Sequence, residues 1–273
     1  MNILRVFPRR TNATPTDDMA FIGDPPLPAF RPEADEVHVS CTFTWDKQEA
    51  ARLVQAWGLY YPIVRVGGPA FYAIGDEFVL GRYVKEGMVM TSRGCPNNCE
   101  FCFVPQREGK LRLLEIKAGW DILDNNLLAC PRDHIEAVLD MLAEQSQKAR
   151  FTGGLQASRI EPWFAGRLGK MRLDILYTAY DRNGQEDGVE RAVRLLRNAG
   201  LRQRQVGCYV LVGQEWDTLG DAKERCEWVK EIGAMPFAMY HQDRNSNGKI
   251  PKDWGDFVRS WSRPAAIFAK DRK

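Results

Sequence analysis

The apolar positions of this chain fall into two regimes. Ile3 to Phe7 forms an apolar run that predicts a strand, and a proline-rich, irregular stretch follows it through Pro32. A second strand is predicted at Val37 to Cys41. Ala50, Leu53, Val54 and Trp57 then recur at helical spacing in a helix from about Trp45 to Gly58. A third strand, Ile63 to Val66, stops at Gly67, Gly68 and Pro69. Residues 1–84 therefore read as a small α/β domain.

From about Lys85 the pattern becomes strand, loop and helix in repetition. The expected strands are Met88 to Thr91, Trp120 to Leu123, Arg150 to Thr152, Leu173 to Ala179, Gln205 to Val212 and Met235 to Tyr240. The expected helices are Arg132 to Gln147, Glu161 to Leu168, Gly188 to Ala199 and Thr218 to Ile232. In the third of these Val189, Ala192, Val193 and Leu196 share a face that Gly200 ends. In the fourth Leu219, Ala222, Cys226 and Val229 do so, ended by Gly233. The first crossover is the thinnest, because Glu108 to Gly119 leaves room for little more than two turns. Apolar strands alternating with helices predict a parallel sheet with helices outside it. Six such units, against the eight of a complete barrel, imply an open or partial (β/α)6 barrel over residues 85–245, with 246–273 as a C-terminal extension. The fold class expected is thus α/β, with functional groups on the loops after the strands.

Composition adds little. Hydrophobic residues make up 44% of the 273 and charged residues 27%, ordinary for a folded protein, and the net charge of +2 argues for no particular partner. No apolar run reaches the ~18 residues of a membrane span, and MNILRVFPRR lacks the features of a signal peptide. A cytoplasmic protein with no membrane partner is expected. Residues 150–204 hold eleven basic and six acidic residues, and the stretch from Arg244 onward holds eight and three. Such excesses suit a phosphate-bearing or nucleic-acid partner. The arginines of ERAVRLLRNAG, however, fall on the exposed face of a helix, where solvated surface is the simpler reading.

The cysteines change the picture. There are seven, three of them inside SRGCPNNCEFCFVP at Cys95, Cys99 and Cys102, while Cys41, Cys130, Cys208 and Cys226 are scattered. An odd, clustered set suits a metal site better than a disulfide framework. Three sulfurs on one loop can converge, and thiolates suit zinc or iron-sulfur chemistry. Structural zinc wants four protein ligands, and a second pair is missing; Cys130 and His134 are the imaginable additions. Three cysteines are what a [4Fe-4S] cluster needs if one iron is to stay open. The cluster begins four residues after the end of the first expected barrel strand.

This stretch resembles the CxxxCxφC motif of the radical S-adenosylmethionine (SAM) superfamily, with Phe101 as the aromatic φ residue. The resemblance covers the motif and the β/α region, roughly residues 85–245. It implies that Cys95, Cys99 and Cys102 hold a [4Fe-4S] cluster whose fourth iron binds SAM. Reduction of SAM would then yield a 5'-deoxyadenosyl radical that takes a hydrogen atom from substrate, with electrons from a donor such as flavodoxin or ferredoxin. Phe101 would lie beside the adenine. Superfamily members usually carry Gly-Gly-Glu after the second strand. DILDNNLLA stands there instead, offering Asp124, Asn125 and Asn126 for the SAM amino group or ribose, or simply a polar turn.

In FTGGLQASRI, Gly153 and Gly154 would let backbone approach a ligand, and Gln156, Ser158 or Arg159 would reach the SAM carboxylate or substrate. The alternative is an ordinary turn. Val212 and Gly213 resemble an adenine wall, with Asp217 as cap of the next helix. Tyr240 and His241 end the sixth strand, and Tyr177 and Asp181 the fourth. The N-terminal piece resembles a shortened, degenerate Rossmann-like relative of cobalamin-binding domains. It lacks their Asp-x-His-x-x-Gly sequence, and His38 is expected to be packed. The motif is also similar to that of methylthiotransferases acting on tRNA and ribosomal protein. An upstream second cysteine cluster is missing, and that activity is not carried over. The remaining readings are a nucleic-acid- or nucleotide-modifying radical SAM enzyme and a non-catalytic zinc or iron-sulfur module.

Overall fold

In the computed structural model, which describes residues 1–73, 78–243 and 246–269, the apolar runs assemble into two units. One takes in the described residues of 1–88, 97–109 and 243–248, the other those of 89–96, 110–242 and 249–273. Arg244, Lys270, Arg272 and Lys273 of the basic C-terminal stretch lie outside the described residues.

The first unit contains β1 (Ile3–Phe7), β2 (Ala20–Ile22), β3 (Glu36–Ser40), α1 (Lys47–Gly58), β4 (Val64–Gly67) and the single turn α2 (Val104–Arg107). Its strands form one sheet in the order β2-β1-β3-β4, with parallel pairings throughout. β2 lies in the run that reads as irregular from sequence. Three half-buried residues are too few to show a period. The core closes where Ala50, Leu53 and Trp57 of α1 meet Leu4, Val6, Val37 and Val39, and Val54 packs at its edge. The Trp57 indole donates to the carbonyl of Gly23 at 3.0 Å, so this large ring leaves no unmet donor.

The second unit contains β5 (Met88–Val89), β6 (Ser92–Arg93), β7 (Arg112–Leu113), β8 (Asp121–Ile122), α3 (Arg132–Ala143), β9 (Ala149–Leu155) and α4 (Pro162–Gly169). β10 (Leu173–Tyr180), α5 (Glu186–Asn198), β11 (Val206–Val212), α6 (Leu219–Glu231), β12 (Met235–Tyr240), α7 (Lys252–Trp261) and α8 (Pro264–Ala269) complete it. Six strands make one sheet in the order β12-β11-β10-β9-β8-β5, parallel from β8 to β12. This is an α/β architecture, as expected. Along β11, Val206, Cys208, Val210 and Val212 are buried while Tyr209 and Leu211 are half-buried, so one sheet face carries the dense core. α5 buries Val189, Ala192, Val193 and Leu196, the stripe read from sequence. α6 departs from its reading: Leu219 is 40% exposed, and Arg225 is buried beside Ala222, Cys226 and Val229.

Three further differences bear on the site. The first crossover has no long helix; the chain forms the antiparallel β6–β7 ribbon there, after Gly109 at φ +72°. β9 continues through Gly153 and Gly154, past the end at Thr152 expected from sequence. Its register against β10 shifts between Phe151 and Leu155, a bulge that Gly154 at φ +94° accommodates. The C-terminal stretch folds into α7 and α8. Among the described residues no helix is long and apolar enough to cross a membrane.

Candidate functional site

The C-terminal ends of β5 and β8 are tied together by one carboxylate. Asp124, just past β8 and 1% exposed, accepts hydrogen bonds from the Thr91 amide (2.6 Å), the Thr91 hydroxyl (2.7 Å) and the Ser92 hydroxyl (2.6 Å). Burial pushes its pKa up, while the Ser92 and Thr91 donors oppose the shift by stabilising the charged form. Behind it, His134 Nε2 lies 3.3 Å from the Thr91 hydroxyl. The Cys130 thiol interacts with Ser92, and burial raises its pKa. Cys130 and His134 thus belong to a buried polar cluster under the start of the cysteine loop.

The next two residues continue along that loop. Asn125 Oδ1 accepts from the Gly94 amide at 3.0 Å. Asn126, 4% exposed, donates Nδ2 to Cys95 Sγ at 3.6 Å and to Gln156 Oε1 at 2.8 Å. Gln156 in turn donates to the Ser158 hydroxyl at 2.9 Å and accepts from Arg159 Nε at 3.0 Å. Successive residues of Asp-Asn-Asn therefore hold successive parts of the approach to Cys95. One polar atom is left over: Asn126 Oδ1 is buried and has no hydrogen-bond partner. A buried amide oxygen without a donor is costly, about 1–3 kcal/mol, and an ammonium group would satisfy it.

Cys99 and Cys102 pack with the first unit. The Cys102 amide donates to the Cys99 carbonyl at 3.0 Å, which sets both cysteines on one turn with Phe101 between them. Cys99 is exposed, and Phe101 and Cys102 are half-buried. α2 follows directly.

Most of the remaining expected residues make contacts within the fold. A Cβ on Gly153 would lie 2.3 Å from the Asp124 carbonyl oxygen, so this glycine serves the approach of β9 to the end of β8. Val212 is fully enclosed in the core. A Cβ on Gly213 (φ +78°) would meet the Tyr240 ring at 2.2 Å, so Tyr240 already covers this glycine. Asp217 is not the cap of α6. Thr218 takes that place by accepting from the Asp221 amide, and Asp217 accepts from the Gly213 amide and forms a buried ion pair with Arg225. Tyr177 stacks on Tyr209 with centroids 4.4 Å apart. Asp181, at the end of β10, has no side-chain hydrogen bond among the described residues, and burial pushes it up to about 6. The His241 amide donates to the Val212 carbonyl. In the first unit both ring nitrogens of His38 are engaged, by Tyr83 at 2.6 Å and Glu36 at 2.9 Å.

Three cysteines of one loop are thiols, the donor type that iron-sulfur clusters take, and a buried amide oxygen next to the first has no hydrogen-bond donor. Among the described residues no three His, Cys, Asp or Glu side chains are gathered about a single point as a metal requires. The fit therefore rests on the chemistry of the donors. The chemistry missed from sequence is the Thr91, Ser92, Cys130 and His134 cluster. Its signal in the sequence is the pairing of Cys130 with His134, which also reads as zinc ligation.

No protein-family model matches this chain, and no curated protein matches it significantly.

Proposed function

We propose that the chain is a radical SAM enzyme in which Cys95, Cys99 and Cys102 hold a [4Fe-4S] cluster. The observation that carries this reading is the three-thiol loop leaving the C-terminal end of β5, with the Asn126 amide on Cys95. When bound, the cluster and SAM supply a 5'-deoxyadenosyl radical that abstracts a hydrogen atom from substrate.

The chain's own residues have separate tasks. Asp124 and Asn125 fix residues 91–94 and so set where the loop begins. The Asn126 Nδ2 donor holds the Cys95 sulfur against the end of β8. Its unmet Oδ1 would accept from the SAM amino group, and the Gln156 and Arg159 pair beside it would offer donors for the carboxylate. Phe101 would supply aromatic surface for the adenine, as the motif resemblance implies. Loading requires the three sulfurs to converge, because the thiolates are the ligands.

The fold supports the reading at a finer level. Strands β5, β8, β9, β10, β11 and β12 stand side by side in chain order, parallel from β8 to β12. Right-handed crossovers in such an order put every helix on one face and curl the sheet, which favours a partial (β/α)6 barrel. In the first unit β2 and β3 flank β1 on opposite sides, the order of a Rossmann-like fold. The reaction would draw electrons from a small carrier such as flavodoxin or ferredoxin.

The test is anaerobic incubation of reconstituted protein with dithionite and SAM. Release of 5'-deoxyadenosine that disappears in Cys99→Ala is expected. Protein that carries the cluster yet leaves SAM intact would overturn the assignment.

A further inference from the structure

The opposite, N-terminal ends of the central strands carry a second feature that the cysteine chemistry does not use. A cleft of about 370 Å³ opens where β9, β10 and β11 begin, and its charged and polar lining is Lys148, Arg150, Asp174, Arg202, Arg204 and Gln205. Four cations face one carboxylate there. Arg150 is already committed, to Asp121 at 3.3 Å and to Asp174. Arg202 turns its Nε onto Gln205 Oε1 at 3.2 Å, and Gln205 Nε2 is anchored on the Leu173 carbonyl at 2.8 Å. Lys148 and Arg204, both exposed, have no ion-pair partner among the described residues.

Like charges held in one concave cleft raise the local potential and recruit anions. Guanidinium groups next to an ammonium match the several oxygens of phosphate better than a single carboxylate. The lining includes no aromatic ring on which a base would stack. Its volume is at the small end of ligand pockets, ~300–1,000 Å³.

We infer that this cleft binds a small anion carrying linked phosphates, recognised through its diphosphate group by Lys148, Arg202 and Arg204. The site lies at the strand ends opposite Thr91 and Asp124 and does not depend on the iron-sulfur reading.

The experiment is calorimetric titration of the full chain with inorganic pyrophosphate at fixed ionic strength, with sulfate and ADP as comparators. Saturable one-to-one binding of pyrophosphate is expected, with ADP at similar affinity and sulfate weaker. Lys148→Glu and Arg204→Glu should each weaken it at least ~10-fold, as loss of a charge-assisted contact does, while Arg204→Lys, which keeps the charge and loses the guanidinium fork, weakens it less than Arg204→Glu. Both side chains are exposed, so the variants should fold, and circular dichroism checks this. Absence of saturable binding, equal affinity in the Glu variants, or binding of ADP without pyrophosphate would each overturn the proposal.

Discussion

The side-chain amide of Asn126 donates to the sulfur of Cys95 at 3.6 Å, linking the end of β8 to the first cysteine of the loop. The other end of the same amide is buried without a donor. One residue thus touches a proposed cluster ligand and presents an unmet acceptor beside it. Asn126→Ala should lower SAM affinity ~10-fold or more, the worth of one hydrogen bond to a charged group, with iron content unchanged. Equilibrium binding of SAM to the reconstituted variant measures this. Equal affinity would assign Asn126 to structure alone.

Asp124 has a structural task. Its replacement by Ala leaves the Thr91 amide and the Thr91 and Ser92 hydroxyls without their acceptor in a buried place. The expected loss of stability is ~2–4 kcal/mol, read from urea unfolding. A loss under ~0.5 kcal/mol, typical of a surface change, would mean that water replaces the carboxylate without cost.

Legibility from sequence followed the length of each element. The α5 stripe of Val189, Ala192, Val193 and Leu196 spans two turns and was read correctly, as were the long strands β10, β11 and β12. β2, β6 and β7, of three residues or fewer, carry no period and were missed. Asp124 read as a ligand because sequence shows a carboxylate after a strand, while the three donors that occupy it come from residues 91–92, over thirty positions away. Gly153 reads from sequence as a place where backbone approaches a ligand or turns, and Gly213 as part of an adenine wall. What approaches them is β8 backbone and the Tyr240 ring, which depends on how strands pair.

Asp181 makes stability depend on pH. Its carboxyl rises from 3.8 to about 6 through burial. The neutral form is therefore favoured in the fold. Its contribution is fully present below the unfolded value and is lost as pH rises through the folded one. Asp181→Asn should match the parent near pH 4 and exceed it by up to ~3 kcal/mol at pH 7.5, two pKa units at ~1.4 kcal/mol each. Denaturant curves across that range decide the matter, and a pH-independent difference would contradict it.

Gly213 and Tyr240 form a coupled pair. Gly213→Ala meets both a positive φ and the Tyr240 ring at 2.2 Å, and a loss of ~2–4 kcal/mol is expected. In a Tyr240→Ala background the ring is gone and the backbone strain of ~1 kcal/mol remains. A double-mutant cycle showing no coupling would mean that the ring moves aside freely.

The most direct measurement is iron content and absorbance after anaerobic reconstitution with iron and sulfide. The account predicts about four irons per chain and a band near ~400 nm, both lost in Cys95→Ala, Cys99→Ala and Cys102→Ala. A colourless protein that takes up a single zinc, or iron retained in all three variants, would contradict it.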